Sequence, residues 1–367
     1  MIDILKVIDK RPKILIVSPA LEKGGMERQL SEFLKAYDRK ILNIKVLFYR
    51  QRIDYDLPED LEYHTLNKKG VIDILFVFRL IRFLLSEKWD IINSKIGGVY
   101  ILLFAGLRLL NPRKVIIEIR SSSVSRHYKI SSLLIKFFLL KKVRIVCNSL
   151  KAKQEFSGYI KNEIYTIPNG VDLNLFHKKQ EIQKDEMAPF KIGYVGRINP
   201  EKNIETLLLA FKNVISKANI EVSLGIWGRV QDEKYFNRLK ELIKQNKLEK
   251  VVQFHGQTSK VVDIYNQLDL FVLPSHYEGT PNVLLEAMSC EVISIISQGA
   301  NSDNFLDEDF VFETNNHQEL GAKIIKIMNL PLARKNEIGK MNRRFIQKNY
   351  SLGKMVNSYS ELYQYLE

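Results

Sequence analysis

In the stretch HYEGTPNVLLEAMSCEV, His276 to Val292, two glutamates, Glu278 and Glu286, bracket a turn made of Gly279, Thr280, Pro281 and Asn282. The apolar spacing of Val283, Leu284, Leu285 and Met288 starts a helix after the turn. The backbone amides of roughly Thr280 to Leu284, Pro281 having none of its own, therefore point at whatever sits in front of it, where an anion is favoured. The carboxylates stand eight residues apart, too far for a helical i,i+4 pair, and suit two parts of one elongated ligand. A carboxylate is a bidentate acceptor for vicinal hydroxyls, so one glutamate on a ribose and the other on a hexose is chemically sensible. The plainer explanation is a helix that carries Glu near its N-terminus for dipole reasons.

A second constellation lies upstream, in GYVGRINPEKN. A strand ends at Gly196, and Arg197 and Lys202 follow just before a helix that begins near Asn203. Two fixed cations beside a strand end and a helix N-terminus form a diphosphate cradle. A surface salt bridge to Glu201 or Glu205 is the competing explanation. The Asp-x-Asp strings Asp54/Asp56 and Asp307/Asp309 follow no buried strand with a ligand-facing turn, so they read as acidic surface turns and no metal site is expected. Cys147 and Cys290 sit far apart in apolar runs and read as small core residues of a reduced compartment.

The elements that must position these residues follow from length and periodicity. A chain of 367 residues with 46% hydrophobic content suits two domains. Short β-rich runs, KILIVSPA, NIKVLFYR, WDIINSK, KVIIEIR, VRIVCNS and EIYTIPNG, alternate with helical stretches such as VIDILFVFRLIRFLLSEK and ISSLLIKFFLL. The alternation resumes with KIGYVGRI and runs on to VISIIS. It predicts an α/β chain of two Rossmann-like, doubly wound parallel-sheet domains, with ligands at strand C-termini. The polar segment KKQEIQKDEMAP (178 to 189) is taken as the linker. This gives an N-terminal domain over 1–180, a C-terminal domain over 188–345 and an amphipathic helix over 350–367 that packs back on the first.

At these residues the sequence resembles a family. EGTPNVLLEAM has the spacing of the E-x7-E signature of retaining glycosyltransferases of family four, whose two Rossmann-like domains face each other across a cleft (the GT-B fold). Three further marks agree in order: Gly24, Gly25, Met26, Glu27 after the first strand, IPNGVDLNLF at 167 to 176, and GRINPEKN. The resemblance implies that Arg197 and Lys202 hold the donor diphosphate, that Glu286 holds the ribose hydroxyls and that Glu278 contacts the transferred sugar. Residues Gly196, Gly279, Thr280, Pro281, Asn282, Val283 and Leu284 would surround them. Gly24 and Gly25 would let the first helix approach the diphosphate closely. Departure of the nucleoside diphosphate leaves charge on the β-phosphate, which two cations and two helix N-termini stabilise without a metal or other cofactor. The implied donor is a UDP-sugar, ahead of a GDP-sugar. Where many members carry a histidine after the fourth strand, this chain reads IIEIRSSSVSRHYK and offers Arg120 and Ser121, with Arg126 also able to meet an acceptor's phosphates and His127 reading as surface or acceptor-facing. After the signature helix, SQGANSDNF replaces the usual glycine-rich loop with an acid.

Charge distribution bears on the acceptor. The net charge of +14 is uneven, with 33 Lys and Arg against 18 Asp and Glu in residues 1 to 180, and 23 against 24 in the remainder. A negatively charged partner for the first half is expected. Its helices mix large apolar residues with cations and are too short or too interrupted to span a bilayer, so they could lie on an anionic leaflet and present a lipid-linked glycan; apolar crossover helices in a core explain them equally. Two other classes compete. A nucleic-acid-binding protein would explain the basic half, but no zinc spacing or aromatic-and-basic ribbon supports it. A nucleotide-sugar epimerase on the same fold would need acids and bases on the hexose from both domains, and only Glu278 is evident. The first ten residues, MIDILKVIDK, lack a continuous apolar core, so a cytoplasmic protein, peripheral on the inner membrane face, is expected.

Overall fold

The computed structural model describes residues 11–22, 24–70, 73–95, 98–120, 133–138, 140–158, 160–179 and 188–366. The chain forms two compact units, Met1–Pro168 together with Leu352–Glu367, and Asn169–Ser351.

Among the described residues the first unit is a seven-stranded parallel sheet in the order β3-β2-β1-β4-β5-β6-β7. Its strands are β1 (Lys13–Ser18), β2 (Asn43–Phe48), β3 (Glu62–Thr65), β4 (Ile91–Ser94), β5 (Val115–Ile119), β6 (Arg144–Cys147) and β7 (Ile164–Thr166). Most are short, apolar and buried on both faces, as parallel strands covered by crossover helices must be. On one face lie α2 (Ile74–Ser86), α3 (Val99–Gly106) and α4 (Leu150–Ser157), over a core of Phe76, Leu80, Ile101, Ile117 and Phe156. The other face holds α1 (Gly25–Ala36) and the C-terminal α11 (Leu352–Tyr365), where Phe33 meets Tyr359 edge-on at 5.4 Å. Edge strand β3 (EYHT) is largely exposed and carries no apolar run, so periodicity does not reveal it.

The second unit repeats the plan with six parallel strands, β10-β9-β8-β11-β12-β13. They are β8 (Phe190–Val195), β9 (Val222–Trp227), β10 (Val252–Gly256), β11 (Leu270–Leu273), β12 (Ile293–Ser297) and β13 (Val311–Phe312). Helices α5 (Ile204–Ile215), α6 (Glu233–Gln245), α7 (Val261–Gln267), α8 (Asn282–Ser289), α9 (His317–Met328) and α10 (Leu332–Asn349) enclose one continuous core. In each unit the sheet's direction of winding reverses beside its first strand, between β1 and β4 and between β8 and β11, the usual ligand position of such sheets.

The boundary between units differs from the sequence expectation. It falls after Pro168, ahead of the polar run at 178–189, because the 169–177 segment packs into the second unit. Phe176 is buried there, Val171 N–H donates to the Tyr350 carbonyl at 2.9 Å, and Arg343 donates to the Phe176 carbonyl at 2.9 Å. Residues 180–187 of the expected linker lie outside the described residues.

Candidate functional site

At the carboxyl edge of the second sheet, the chain leaves β8 through Gly196 and Arg197. Gly196 N–H donates to the Trp227 carbonyl at 2.9 Å and Ile198 N–H to the Arg229 carbonyl at 2.9 Å, so the loop continues the β8–β9 pairing. The Tyr194 hydroxyl donates to the Arg197 carbonyl at 2.8 Å from below. This close seating requires Gly228, since a Cβ there would lie 1.7 Å from the Gly196 carbonyl oxygen. The backbone is thus fastened on both sides while the Arg197 side chain stands exposed.

Five residues on, a 3-10 turn, Pro200–Lys202, ends in Asn203 with φ 52°. Asn203 Nδ2 donates to the Pro274 carbonyl at 3.2 Å, and His276 N–H donates to the Glu201 carbonyl at 2.9 Å. These bonds tie the loop after β8 to the loop after β11. The result is an ion pair across the two loops: Lys202 Nζ lies 2.5 Å from Glu278 Oε1, which also accepts from Ser275 Oγ at 2.7 Å. The pair is 13% and 15% exposed, screened from bulk water yet reachable. The salt bridges weighed from sequence are absent from it, because Glu205 pairs with Arg238 and Lys202 with Glu278. Gly299, from SQGANSDNF, backs this loop; its carbonyl accepts from Glu278 N–H at 3.2 Å, and a Cβ would fall 1.9 Å from the His276 carbonyl oxygen.

The EGTPN turn and α8 complete this edge. Asn169 Nδ2 donates to the Thr280 carbonyl at 3.0 Å and to Asn282 Oδ1 at 2.8 Å, and Ser302 Oγ donates to the Gly279 carbonyl at 3.2 Å. With Pro281 as its cap, α8 uses the Leu284 amide on the Pro281 carbonyl at 3.0 Å, while Val283 N–H in the first turn has no acceptor in its own helix. Glu286, one turn further in, is 2% exposed and accepts from the Tyr265 hydroxyl at 3.0 Å. Burial, with the Glu286 charge adding to it, pushes the neighbouring Cys290 thiol up to about 12 and keeps it unreactive. Gly196, Arg197, Lys202, Glu278 to Leu284 and Glu286 are therefore brought together by three loops of one unit. Sequence reasoning missed the residues that hold them: Tyr194, Asn203, Gly228, Tyr265 and Ser275. Asn169 had a signal, lying inside IPNGVDLNLF, and Gly228 ends a readable strand; the tyrosines look like ordinary core positions.

In the first unit, Gly24 caps α1 at the sheet's carboxyl edge and Gly25 opens it. Gly24 N–H donates to the Tyr55 hydroxyl at 3.3 Å, and that hydroxyl donates to the Gly24 carbonyl at 3.1 Å. Arg120, expected at an acceptor, is placed in a buried cluster. Its Nε lies 2.7 Å from Glu118 Oε2 and its NH2 group 3.0 Å from the Tyr359 hydroxyl. Lys95 Nζ lies 2.5 Å from Glu118 Oε1, and Asn93 Nδ2 donates to the same oxygen at 2.9 Å. Burial would raise the Glu118 carboxyl, but the Arg120 and Lys95 charges outweigh it and hold it at about 2. One carboxylate cannot fully compensate two cations, and burial together with the Arg120 charge lowers Lys95 to about 8. Ser121, Arg126 and His127 lie outside the described residues. Asp309 pairs with Lys326 on the surface, and among the described residues no three His, Cys, Asp or Glu side chains gather as a metal site.

The family model for Glycosyltransferase Family 4 matches residues 23–175, and that for Glycosyl transferases group 1 matches residues 176–351. The chain is 27% identical over 235 residues to the capsular polysaccharide biosynthesis glycosyltransferase CapM of Staphylococcus aureus, covering 58% of this chain and 61% of that relative, less than two thirds of its length. It is 26% identical over 313 residues to the UDP-Gal:alpha-D-GlcNAc-diphosphoundecaprenol alpha-1,3-galactosyltransferase of Escherichia coli, covering 79% of each. Among solved structures, a glycosyltransferase from Rickettsia africae superposes with a TM-score of 0.80 at 18% identity, covering 97% of this chain and 99% of that one. Anabaena Alr3699/HepE in complex with UDP does so with 0.78 at 17%, covering 95% and 99%. At these identities the structural likeness is one of fold.

Proposed function

Because the chain belongs to the glycosyltransferases of GT-B type, with a family 4 domain followed by a group 1 domain, we propose that it moves a hexose or N-acetylhexosamine from a nucleoside-diphosphate sugar to a glycan acceptor, with retention at the anomeric carbon. UDP is the preferred donor base, ahead of GDP. The acceptor is lipid-linked or on the cell surface; the Escherichia coli relative, whose name records a diphosphoundecaprenol-linked acceptor, supports this class.

The observation that carries the reading is the Lys202–Glu278 pair beside the exposed Arg197 and the first turn of α8. An entering diphosphate competes with Glu278 for Lys202, and a sugar hydroxyl competes with Lys202 for Glu278. Donor binding thus exchanges one ion pair for two contacts: Lys202 and Arg197 take the phosphates, and the freed Glu278 carboxylate accepts from the hexose. Glu286, oriented by Tyr265, takes the ribose hydroxyls. As the anomeric bond breaks, negative charge grows on the β-phosphate, and in this reading the two cations and the α8 amides stabilise it. Side-chain cations supply this neutralisation, so the reaction runs without a metal.

Calorimetry of the purified protein against UDP, GDP, ADP and their sugars, with and without chelator, tests the reading. One diphosphate should bind regardless of chelator, Glu286→Ala should lose it, and the product anomer read by NMR should match the donor's. No binding by any nucleotide, or binding restored only by a divalent cation, overturns it. Epimerised sugar in the absence of acceptor would favour the epimerase instead.

A further inference from the structure

Helix α2 is apolar on both sides. Phe76, Leu80 and Leu84 recur at helical spacing and are buried against the sheet, as an amphipathic crossover helix requires. The opposite side should then be polar, yet Ile74, Leu75 and Phe78 are 68%, 72% and 66% exposed. The helical residues 133–137 add Phe137 at 80% exposure. These elements form one layer. The Phe76 ring lies 5.3 Å from Tyr100 of α3, Phe138 packs against Gly106 at the end of α3, and Ile135 joins the same core. An outward helix face that carries several exposed large apolar residues marks an interaction surface.

Charge identifies the occupant. Arg82, Arg108, Lys136, Lys141 and Lys142 are exposed on or beside this layer. From Ile91 to Gln154 the sequence holds 13 Lys and Arg and a single acid, Glu118. That acid is 0% exposed and is taken up by the buried Lys95 and Arg120, while Lys114 and Arg144 pair with Asp90 and Glu163 outside this stretch. Of the acids flanking α2, Asp73 caps the helix through the Phe76 amide at 2.8 Å and pairs with Arg79 at 3.5 Å, and Glu87 pairs with Lys13 and Lys45. Large apolar residues interleaved with uncompensated cations match an anionic bilayer surface, where rings and aliphatic chains enter the headgroup boundary and cations meet lipid phosphates. An acidic protein partner would meet the cations but leave Ile74, Leu75, Phe78 and Phe137 without a hydrocarbon to enter.

We propose that the outward face of α2, together with Phe137, docks on an anionic phospholipid leaflet. No described helix is long and apolar enough to cross a membrane. Because α2 follows β3, its N-terminal turn with Ile74 and Leu75 lies at the carboxyl edge of the sheet, the edge that also carries Gly24 and Gly25. A leaflet on this face would bring lipid phosphates to that edge. The inference deepens the proposed reaction by fixing where a lipid-linked acceptor is met, but it rests on the first unit alone.

Flotation with phosphatidylcholine vesicles, with and without phosphatidylglycerol, tests it. The protein should float only with phosphatidylglycerol, and rising salt should release it. Arg82→Gln with Lys136→Gln should lower partitioning on the order of thirtyfold. Phe78→Asp with Phe137→Asp should abolish it while Tm and nucleotide affinity stay at wild-type values, which separates loss of docking from loss of folding or of the donor site. Absence of flotation at low salt, or flotation unchanged in the Asp double variant, overturns the proposal. So does a dimer in sedimentation velocity that Phe78→Asp dissociates while vesicles are ignored, since the face would then belong to a second copy of the chain.

Discussion

The two units share a winding plan and treat charge at the same edge in opposite ways. In the second, the loops leaving β8 and β11 hold Arg197 exposed and the Lys202–Glu278 pair at the water boundary. In the first, the residues that leave β4 and β5, Lys95 and Arg120, turn inward onto Glu118 under α11. A charged pair at the boundary can be exchanged for a ligand's charges at little desolvation cost, whereas a buried cluster is fixed because opening it strands charge in a low dielectric. The same residue types at the carboxyl edge of the sheet, on loops of different strands, are thus reachable in one unit and locked in the other.

Four measurements would break or sharpen this contrast. The largest effect is expected for Glu118→Ala, which leaves Lys95 and Arg120 buried without their anion and should cost about 3 to 5 kcal/mol in denaturant unfolding. A loss below about 1 kcal/mol would show that water reaches the cluster. Acid should expose the same dependence: the Glu118 carboxyl sits at about 2 against an ordinary 4.5, so its contribution is complete above 4.5 and fades as pH falls toward 2. Over that window wild type should lose on the order of 3 kcal/mol more than Glu118→Gln; parallel stability curves would refute the assignment. In the second unit, Arg197→Ala should leave Tm in place while kcat/KM drops by the equivalent of about 2 to 4 kcal/mol. Wild-type turnover in that variant would remove Arg197 from the leaving-group cradle. The smallest effect is expected for Tyr265→Phe, which deprives Glu286 of one hydrogen bond and should weaken nucleotide binding by about 1.5 kcal/mol in calorimetry; a change in Tm with no change in affinity would make that bond purely structural.

What was legible in the sequence follows from how local each feature is. The E-x7-E turn and GRINPEK are short-range objects whose chemistry is written in consecutive residues, and the structure assembles them within one unit. Strand and helix alternation exposed both sheets for the same reason. The buried cluster was illegible because its members come from β4, β5 and α11, and Tyr359 is 239 positions from Arg120. In IIEIR, Glu118 passes for a polar residue in a strand, and nothing nearby announces two cations. The boundary at Pro168 was hidden similarly: polarity marks 178–189, but Phe176 and the Arg343 bonds that settle 169–177 are long-range.

The return of α11 to the first unit also orders the making of the molecule. Everything in the second unit, Asn169–Ser351, is contiguous, so it can close as soon as that stretch has emerged. The first unit begins earlier and finishes later, because Tyr359 and Tyr363 cover a face whose strands were synthesised first. At about 5 to 20 residues per second, the wait from Pro168 to residue 366 is on the order of ten to forty seconds. Through that interval the sheet face around Glu118 stands open to the ribosome's surroundings, and a chain interrupted before Leu352 would release a finished second unit joined to a first one still missing its lid.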